Sequence, residues 1–318
     1  MPDTATNEKP RPAPGSPAPA PRGMSPGDRK RLAVGLLFIS PWIAGFLLFL
    51  LYPMASSLYY SLCRYPVLRP PEFIGLANYA RIIHDEYFWK ALGNTAFMFV
   101  ELPLMVVLGL ALALLLNQGV RGMAFFRTIF YLPAIVPVVA SAMLWLWIFN
   151  PEYGLANVLL AKFHLAGLRW LVDPRTSKPS FIVMDLWALG GGMIIYLAAL
   201  QGVPEHLFEA AELDGAGAWQ KLVHVILPSI SPVMLFMIIM GMIGLFQYFT
   251  QAWIMTTPRG GPEYSTLFYA LYLFQNGFEY FRMGYACAMA WILFVVILAA
   301  TVVILKTSQR WVYYEESR

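Results

Sequence analysis

Six long apolar segments restrict the folds open to this sequence. They cover residues 32–55, 91–117, 123–149, 181–201, 230–254 and 284–305. A helix that crosses a bilayer needs about 20 mainly apolar residues, because the hydrocarbon core is ~30 Å thick and a helix rises ~1.5 Å per residue. The segments are continuously apolar instead of alternating, which favours helices over barrel strands. We therefore predict an all-α polytopic membrane protein with six transmembrane helices.

The composition supports a lipid environment. Of the 318 residues, 59% are hydrophobic and 13% are charged, whereas a soluble domain carries roughly 25% charged residues. The formal net charge of +4 is too small to indicate nucleic acid as a partner. Cys63 and Cys287 are far apart and lack the paired spacing of a disulfide framework or a metal site. We expect a lipid bilayer as partner and no metal ligands.

The two ends of the chain differ from its middle. Residues 1–31 contain eight of the 24 prolines, and such segments have too little apolar surface to offset the entropy lost on ordering. We predict a disordered tail at 1–31, a transmembrane domain at 32–310 and a short tail at 311–318.

Basic residues indicate the orientation. Those next to the predicted spans fall on one side of the membrane: Arg29, Lys30, Arg31, Arg121, Arg127, Lys306 and Arg310. Lys and Arg next to spans mark the cytoplasmic side. An even number of spans then predicts that both termini are cytoplasmic, and that the loop at 202–228 is cytoplasmic too.

The loop at 202–228 has its own pattern. Pro204 suits the first turn of a helix, and we expect that helix to end at Leu213. Asp214-Gly215 predicts a turn, since glycine adopts positive φ without steric cost. A second short helix is expected from about Ala216 to Ile226, ending before Pro228.

The first helix of this loop has two distinct faces. Glu205, Glu209 and Glu212 are spaced i, i+4 and i+7 and form an acidic stripe. A small apolar face is formed by Leu207, Ala210 and Ala211. We expect two short helices that fold at a glycine into a compact unit, which the groove of another protein can bind. For a single glutamate, the alternative is an ordinary solvated carboxylate.

The same loop resembles the signature of a known family. In the transmembrane subunits of binding-protein-dependent ABC importers of the maltose type, Glu-Ala-Ala is followed after three residues by Gly, and later by Ile and Leu-Pro. This sequence has Glu209-Ala210-Ala211, Gly215, Val225 and Leu227-Pro228, and departs only in Val for Ile. The resemblance implies a coupling helix that docks into an ATPase subunit.

Further collinear segments are similar to the same family. They are Ser40-Pro41-Trp42, Phe73 to Tyr79, Asn94-Thr95, Arg121-Gly122, Phe126-Arg127, Tyr131 to Pro133, Phe149 to Pro151, Ala199 to Gln201 and Gly260 to Pro262. The resemblance implies four kinds of partner: a second permease subunit, two ATPase subunits, an extracytoplasmic solute-binding protein and a sugar.

Candidate solute-contacting residues lie in the fourth and fifth segments. Aromatic faces together with convergent polar groups suit a sugar, and the candidates are Trp187, Gly191, Phe246, Gln247, Tyr248 and Gln251. The alternative is that the aromatics face lipid and the glycines allow close helix packing. Glu101 and Asp185 are further candidates, because ionisable groups inside spans are usually functional, and their alternative is a position near the headgroups.

Other functional classes have less support. The sequence contains no Gly-x-x-x-x-Gly-Lys-Ser/Thr segment, so we expect partner subunits to bind ATP and this chain to hold no cofactor and no catalytic residue. An ion-gradient-driven secondary transporter predicts similarity between the two halves, which is not evident. We predict a permease of the cytoplasmic (inner) membrane for a sugar or sugar-like solute.

Overall fold

The computed structural model of this chain describes residues 26–118, 121–256 and 260–313. Most of the predicted amino-terminal tail and the last five residues lie outside this part. A helix begins at Pro26, so the end of the segment predicted as a tail is helical. Proline is well tolerated in the first turn of a helix, where its missing N–H has no partner to lose.

Helices dominate the described residues. They are α1 Pro26–Phe46, α2 Tyr52–Ser61, α3 Ala77–Ile83, α4 Glu86–Met98, α5 Glu101–Leu116, α6 Met123–Tyr131, α7 Val138–Ile148, α8 Leu155–Lys162, α9 Pro174–Leu186, α10 Gly190–Gln201, α11 Glu205–Leu213, α12 Ala218–Lys221, α13 Leu227–Phe246, α14 Thr250–Met255, α15 Tyr269–Phe274 and α16 Met283–Ser308.

Short segments of other types join these helices. The π-helical turns are Leu47–Leu51, Leu222–Ile226 and Gln275–Glu279, and the 3₁₀ turns are Leu132–Ile135 and Pro262–Tyr264. Two short strands, β1 at Cys63–Arg64 and β2 at Glu72–Phe73, pair in antiparallel fashion with Cys63 opposite Phe73.

Four helical stretches within the described residues are long and apolar enough to cross a membrane. They are Lys30–Ser61, Glu86–Leu116, Ala218–Met255 and Met283–Ser308. The two other predicted spans are bent pairs, Met123–Ile135 with Val138–Ile148 at 95° and Pro174–Leu186 with Gly190–Gln201 at 46°. Counting each pair as one span gives six. The predicted fold class is confirmed, but the third and fourth spans are broken helices.

Proline accounts for the break in the third span. Val136 and Pro137 have extended backbones, with ψ of 128° and 136°. A proline disfavours helical geometry in the residue before it, so the chain leaves the helix at Val136 and starts α7 after Pro137.

The chain divides into two units at Ser56. Within the first unit, Trp42 and Phe46 of α1 stack with ring centroids 5.6 Å apart.

The described residues of the second unit, 57–318, include two apolar clusters. In the first, the rings of Phe181, Tyr248 and Phe268 meet edge to face at centroid distances of 5.3–5.7 Å. The second joins α5, α10 and the start of α13 through Leu110, Met193, Tyr196, Leu200 and Ile230. Edge-to-face aromatic pairs contribute about 0.5–1.5 kcal/mol beyond burial.

A glycine fixes the approach of the two broken spans. Gly190, the first residue of α10, lies so close to α6 that a Cβ there would overlap the carbonyl oxygen of Phe130 and come within 2.7 Å of Tyr131 Cα. Backbone atoms cannot yield as the end of a flexible side chain can. Only glycine therefore fits this contact.

We predict that Gly190→Ala destabilises the protein. Overpacking typically costs about 1–3 kcal/mol, and each kcal/mol lowers Tm by roughly 2–4 °C in a protein of this size class. The measurement is the thermal unfolding midpoint of the purified protein in detergent. Gly93→Ala in α4 is the matched control, since nothing lies within 4 Å of its added methyl group. Equal unfolding midpoints for the two variants would contradict the close backbone contact at Gly190.

Candidate functional site

The first helix of the 202–228 loop ends in a hydrogen-bonded cap. Pro204 is the residue before α11 and not in its first turn, as its ψ of 133° shows. Gly215 has φ of +72°. Its N–H donates to the Glu212 carbonyl at 3.0 Å, and the Ala216 N–H donates to the Ala211 carbonyl at 2.9 Å. This is the Schellman arrangement, in which glycine takes the left-handed position.

The second arm of the loop differs from its prediction. A helix that ends before Pro228 was expected, but α12 passes through the π-helical turn Leu222–Ile226 directly into α13. In that turn the Leu227 N–H bonds to the Leu222 carbonyl. Proline removes a helical donor and clashes with the preceding turn, and the wider π turn accommodates both. Leu227 and Pro228 therefore begin the long helix α13.

Polar contacts link the two arms and cap the second one. The Lys221 Nζ lies 2.7 Å from Glu212 Oε1, and the Gly217 N–H donates to the Gln220 side-chain oxygen at 2.8 Å. The hydrogen bond and charge of Lys221 hold the pKa of Glu212 below its usual value. The pair therefore contributes stability above the usual glutamate pKa and loses it as pH falls through the lowered value.

Exposed side chains cover the resulting hairpin, which we define as residues 204–227. Glu205, Glu209 and Ala210 are exposed, and so are Leu213 (90%) and Trp219 (74%). Between the arms lies a groove of about 390 Å³ whose lining includes Leu207, Ala210, Ala211 and Asp214. Uncovered apolar side chains beside an acidic stripe are typical of a protein-docking surface.

A second candidate site is a cavity of about 390 Å³ among the spans. Most of its lining is apolar. Its polar lining residues are Glu101, Asp185, Tyr196, Tyr248 and Gln251. Apolar cavities with a few convergent polar groups are the usual form of small-molecule sites.

Four helices and the segment after α13 bring these polar groups together. Glu101 begins α5, and Asp185 lies in the last turn of α9 just before the bend. Tyr196 lies on α10, Tyr248 follows the end of α13, and Gln251 lies on α14. The convergence therefore depends on the bend in the fourth span and on the end of the fifth.

Hydrogen bonds satisfy only part of this set. The Tyr248 hydroxyl donates to Asp185 Oδ2 at 2.7 Å. Glu101 is 6% exposed and Tyr196 is fully buried, yet Glu101 Oε2 and the Tyr196 hydroxyl have no hydrogen-bond partner among the described residues. A buried polar atom without a partner costs about 1–3 kcal/mol, so these two atoms are available to a ligand.

The residues predicted from the sequence to contact solute do not all lie together in the structure. Tyr248 and Gln251 line the cavity. Trp187 lines a different groove and packs edge to face on Trp145.

The remaining candidates have other surroundings. Phe246 is buried against Phe99 at a centroid distance of 4.9 Å, and Gln247 is exposed. A methyl group at Gly191 would touch Ala134 Cβ at 3.6 Å. Their role in solute contact stays a prediction. Tyr196 was not predicted as a site residue. The one sequence signal that could have indicated it is a hydroxyl group within a strongly apolar segment.

The Asn94-Thr95 pair singled out in the sequence has a structural role. The Asn94 amide donates to the carbonyls of Tyr264 at 2.8 Å and Leu267 at 3.1 Å. The Thr95 hydroxyl accepts from the Tyr269 N–H at 2.9 Å. These bonds satisfy the backbone of the segment before α15, which accounts for the polar pair inside α4.

Known proteins match most of the chain. Residues 105–313 match the family described as "Binding-protein-dependent transport system inner membrane component". The probable ABC transporter permease protein YesP of Bacillus subtilis is 39% identical over 291 residues, which cover 90% of this chain and 94% of that relative. The trehalose/maltose transport system permease protein MalF of Thermococcus litoralis is 32% identical over 279 residues, with 87% and 94% covered.

Two further proteins extend the comparison. The lactose transport system permease protein LacF of Rhizobium radiobacter is 35% identical over 271 residues, which cover 83% of this chain and 90% of that relative. A chain from the crystal structure of a bacterial alginate ABC transporter, in complex with an alginate pentasaccharide-bound periplasmic protein, aligns with a TM-score of 0.79 and 25% identity. The alignment covers 89% of this chain and 96% of the chain from the alginate transporter.

We predict that Gly215→Ala loosens the hairpin and that Gly217→Ala does not. Left-handed geometry costs a non-glycine residue roughly 1–2 kcal/mol, whereas Gly217 has φ of −72°. Hydrogen exchange at the amides of Gly215 and Ala216 is the measurement, and it should accelerate about tenfold or more in Gly215→Ala. Equal exchange in the two variants would contradict the cap geometry.

Proposed function

Since this chain belongs to the family of binding-protein-dependent transport system inner membrane components, we propose that its solute is a sugar or a sugar-like polyol. The chain is a permease subunit of an ATP-driven importer. Its relatives include permeases named for lactose and for trehalose or maltose, and the cavity among the spans offers hydroxyl, carboxyl and amide groups within an apolar wall.

The hairpin at 204–227 is the proposed contact with the ATPase subunits. The observation that carries this proposal is that the apolar side chains of Leu213 and Trp219 are uncovered on the same hairpin as the exposed Glu209. Such a surface gains stability when a partner covers it. The proposed coupling residues are Glu205, Glu209, Ala210, Ala211, Asp214, Gly215, Leu227 and Pro228.

Movement of the hairpin is proposed to reach the cavity along one continuous helical segment. From Ala218 the chain stays helical through the π turn and α13 to Phe246, and Gly241 of this helix and Tyr248 beyond its end line the cavity. Movement of the hairpin on an ATPase subunit therefore shifts the cavity wall as a rigid element. Rigid displacement of packed helices is a common form of such transitions.

The assembly we propose has partners on both sides of the membrane. The sequence contains no phosphate-binding loop, so ATP is bound and hydrolysed by two separate ATPase subunits on the cytoplasmic side. A second permease subunit completes the pathway, and a solute-binding protein delivers the solute from outside. Both termini of this chain are cytoplasmic in this arrangement.

We predict that Ala210→Cys crosslinks to an ATPase subunit in isolated membranes. The residue is exposed on the hairpin, within reach of any protein bound to that surface. Tyr153→Cys is the control, since Tyr153 is exposed in the loop between α7 and α8 on the opposite side in the proposed topology. The crosslinked product is identified by mass spectrometry. An ATPase captured from Tyr153→Cys, or none captured from Ala210→Cys, would reject the proposal.

A proline at Gly215 is expected to uncouple the importer. Proline fixes φ near −65°, which is incompatible with the φ of +72° at this turn, while the spans retain their contacts. Solute uptake by the complex in proteoliposomes should fall about tenfold or more, while the amount of assembled permease in the membrane stays unchanged. Normal uptake by Gly215→Pro would contradict the coupling role of the hairpin.

A further inference from the structure

The two acidic residues of the cavity come from different spans. Glu101 on α5 and Asp185 on α9 line the same 390 Å³ space and interact electrostatically. Among the residues that the structure describes, no Lys, Arg or His lines this space. Intramembrane carboxyl groups are costly to retain and usually mark a solute or ion pathway.

A purely structural pair would satisfy its own hydrogen-bonding groups. Here Glu101 Oε2 and the Tyr196 hydroxyl are buried without partners in the part of the chain that the structure describes, and both residues line the cavity. Buried polar groups in native proteins are almost always paired. A solute with hydroxyl groups supplies the missing partners, since a hydroxyl both donates and accepts.

The pair also sets the electrostatic character of the cavity. Tyr248 donates to Asp185 Oδ2 at 2.7 Å, and this bond holds the carboxyl group at the cavity wall. Two neighbouring carboxyl groups commonly share one proton and retain one negative charge. In an apolar cavity this charge acts strongly on any ion that enters, because the low dielectric screens it little.

We propose that Glu101 and Asp185 form a charge filter, which admits neutral and cationic polyhydroxylated solutes and excludes anionic sugars such as uronic acids and sugar sulfonates. The solute class rests on the function proposed above, whereas the charge preference rests on the cavity alone. The filter sets the solute of this chain apart from the acidic polysaccharide alginate, for which a transporter of similar fold is named.

The first test measures the charge preference without a solute. Met105 lines the cavity one helical turn after Glu101, and Met105→Cys is placed in a chain whose Cys63 and Cys287 are replaced by alanine. The full complex in membranes is treated with methanethiosulfonates of similar size, one cationic and one anionic. The ratio of their reaction rates, normalised to free 2-mercaptoethanol, should favour the cation about tenfold.

A comparison of variants tests whether the carboxyl pair causes this preference for the cationic reagent. Combining Glu101→Gln with Asp185→Asn should bring the normalised ratio close to one, whereas the control Glu152→Gln, in the loop between α7 and α8, should leave it unchanged. A ratio near one in the parent, or a ratio that persists in the double variant, overturns the filter. Single variants show whether one carboxyl suffices.

The second test uses protection of the same cysteine by solutes. Cellobiose, the disaccharide of glucosamine and digalacturonate are matched in size and are neutral, cationic and anionic. The first two should slow modification of Met105→Cys by an uncharged reagent, and digalacturonate should protect only in the double variant. Protection of the parent by digalacturonate overturns the filter. If the rate ratio holds but no saccharide protects, the proposed sugar function fails and the filter stands.

Discussion

The arrangement of the second unit depends on a contact between two backbones. Gly190 meets the carbonyl of Phe130 at a distance that excludes a Cβ, and this contact joins the two broken spans. Interhelical approach of this kind replaces the hydrophobic driving force that lipid does not provide. The bend before Gly190 follows Asp185 closely, so this contact lies beside the segment that carries the carboxyl group.

The amino-acid sequence predicts the elements that depend on local chemistry. The apolar segments specify six crossings because backbone groups in lipid must bond within their own helix. The turn at Gly215 follows from Asp-Gly and the positive φ that glycine allows. The second arm of the hairpin could not be predicted, because Pro228 ends a helix unless a π turn precedes it, and the sequence pattern does not indicate the π turn at Leu222–Ile226.

Sites formed by residues that are distant in the sequence are harder to predict. Glu101 and Asp185 stand out in the sequence because each is an ionisable group in an apolar segment. Their common cavity depends on the bend of the fourth span, and so does the separation of Trp187 into another groove. A periodicity argument places residues on the faces of a straight helix, and it fails where a helix is broken.

The cavity and the hairpin are linked through Tyr248 and the helix before it. This hydroxyl donates to Asp185, and its backbone follows a helix that begins within the hairpin. A displacement of that helix changes the hydrogen bond that holds the carboxyl group, so it changes the polar surface offered to a solute. Coupling between two sites is reciprocal in binding free energy. In the proposed mechanism, a solute that bonds to Asp185 in one arrangement of the helix therefore favours the matching arrangement of the hairpin, without any contact between the two sites.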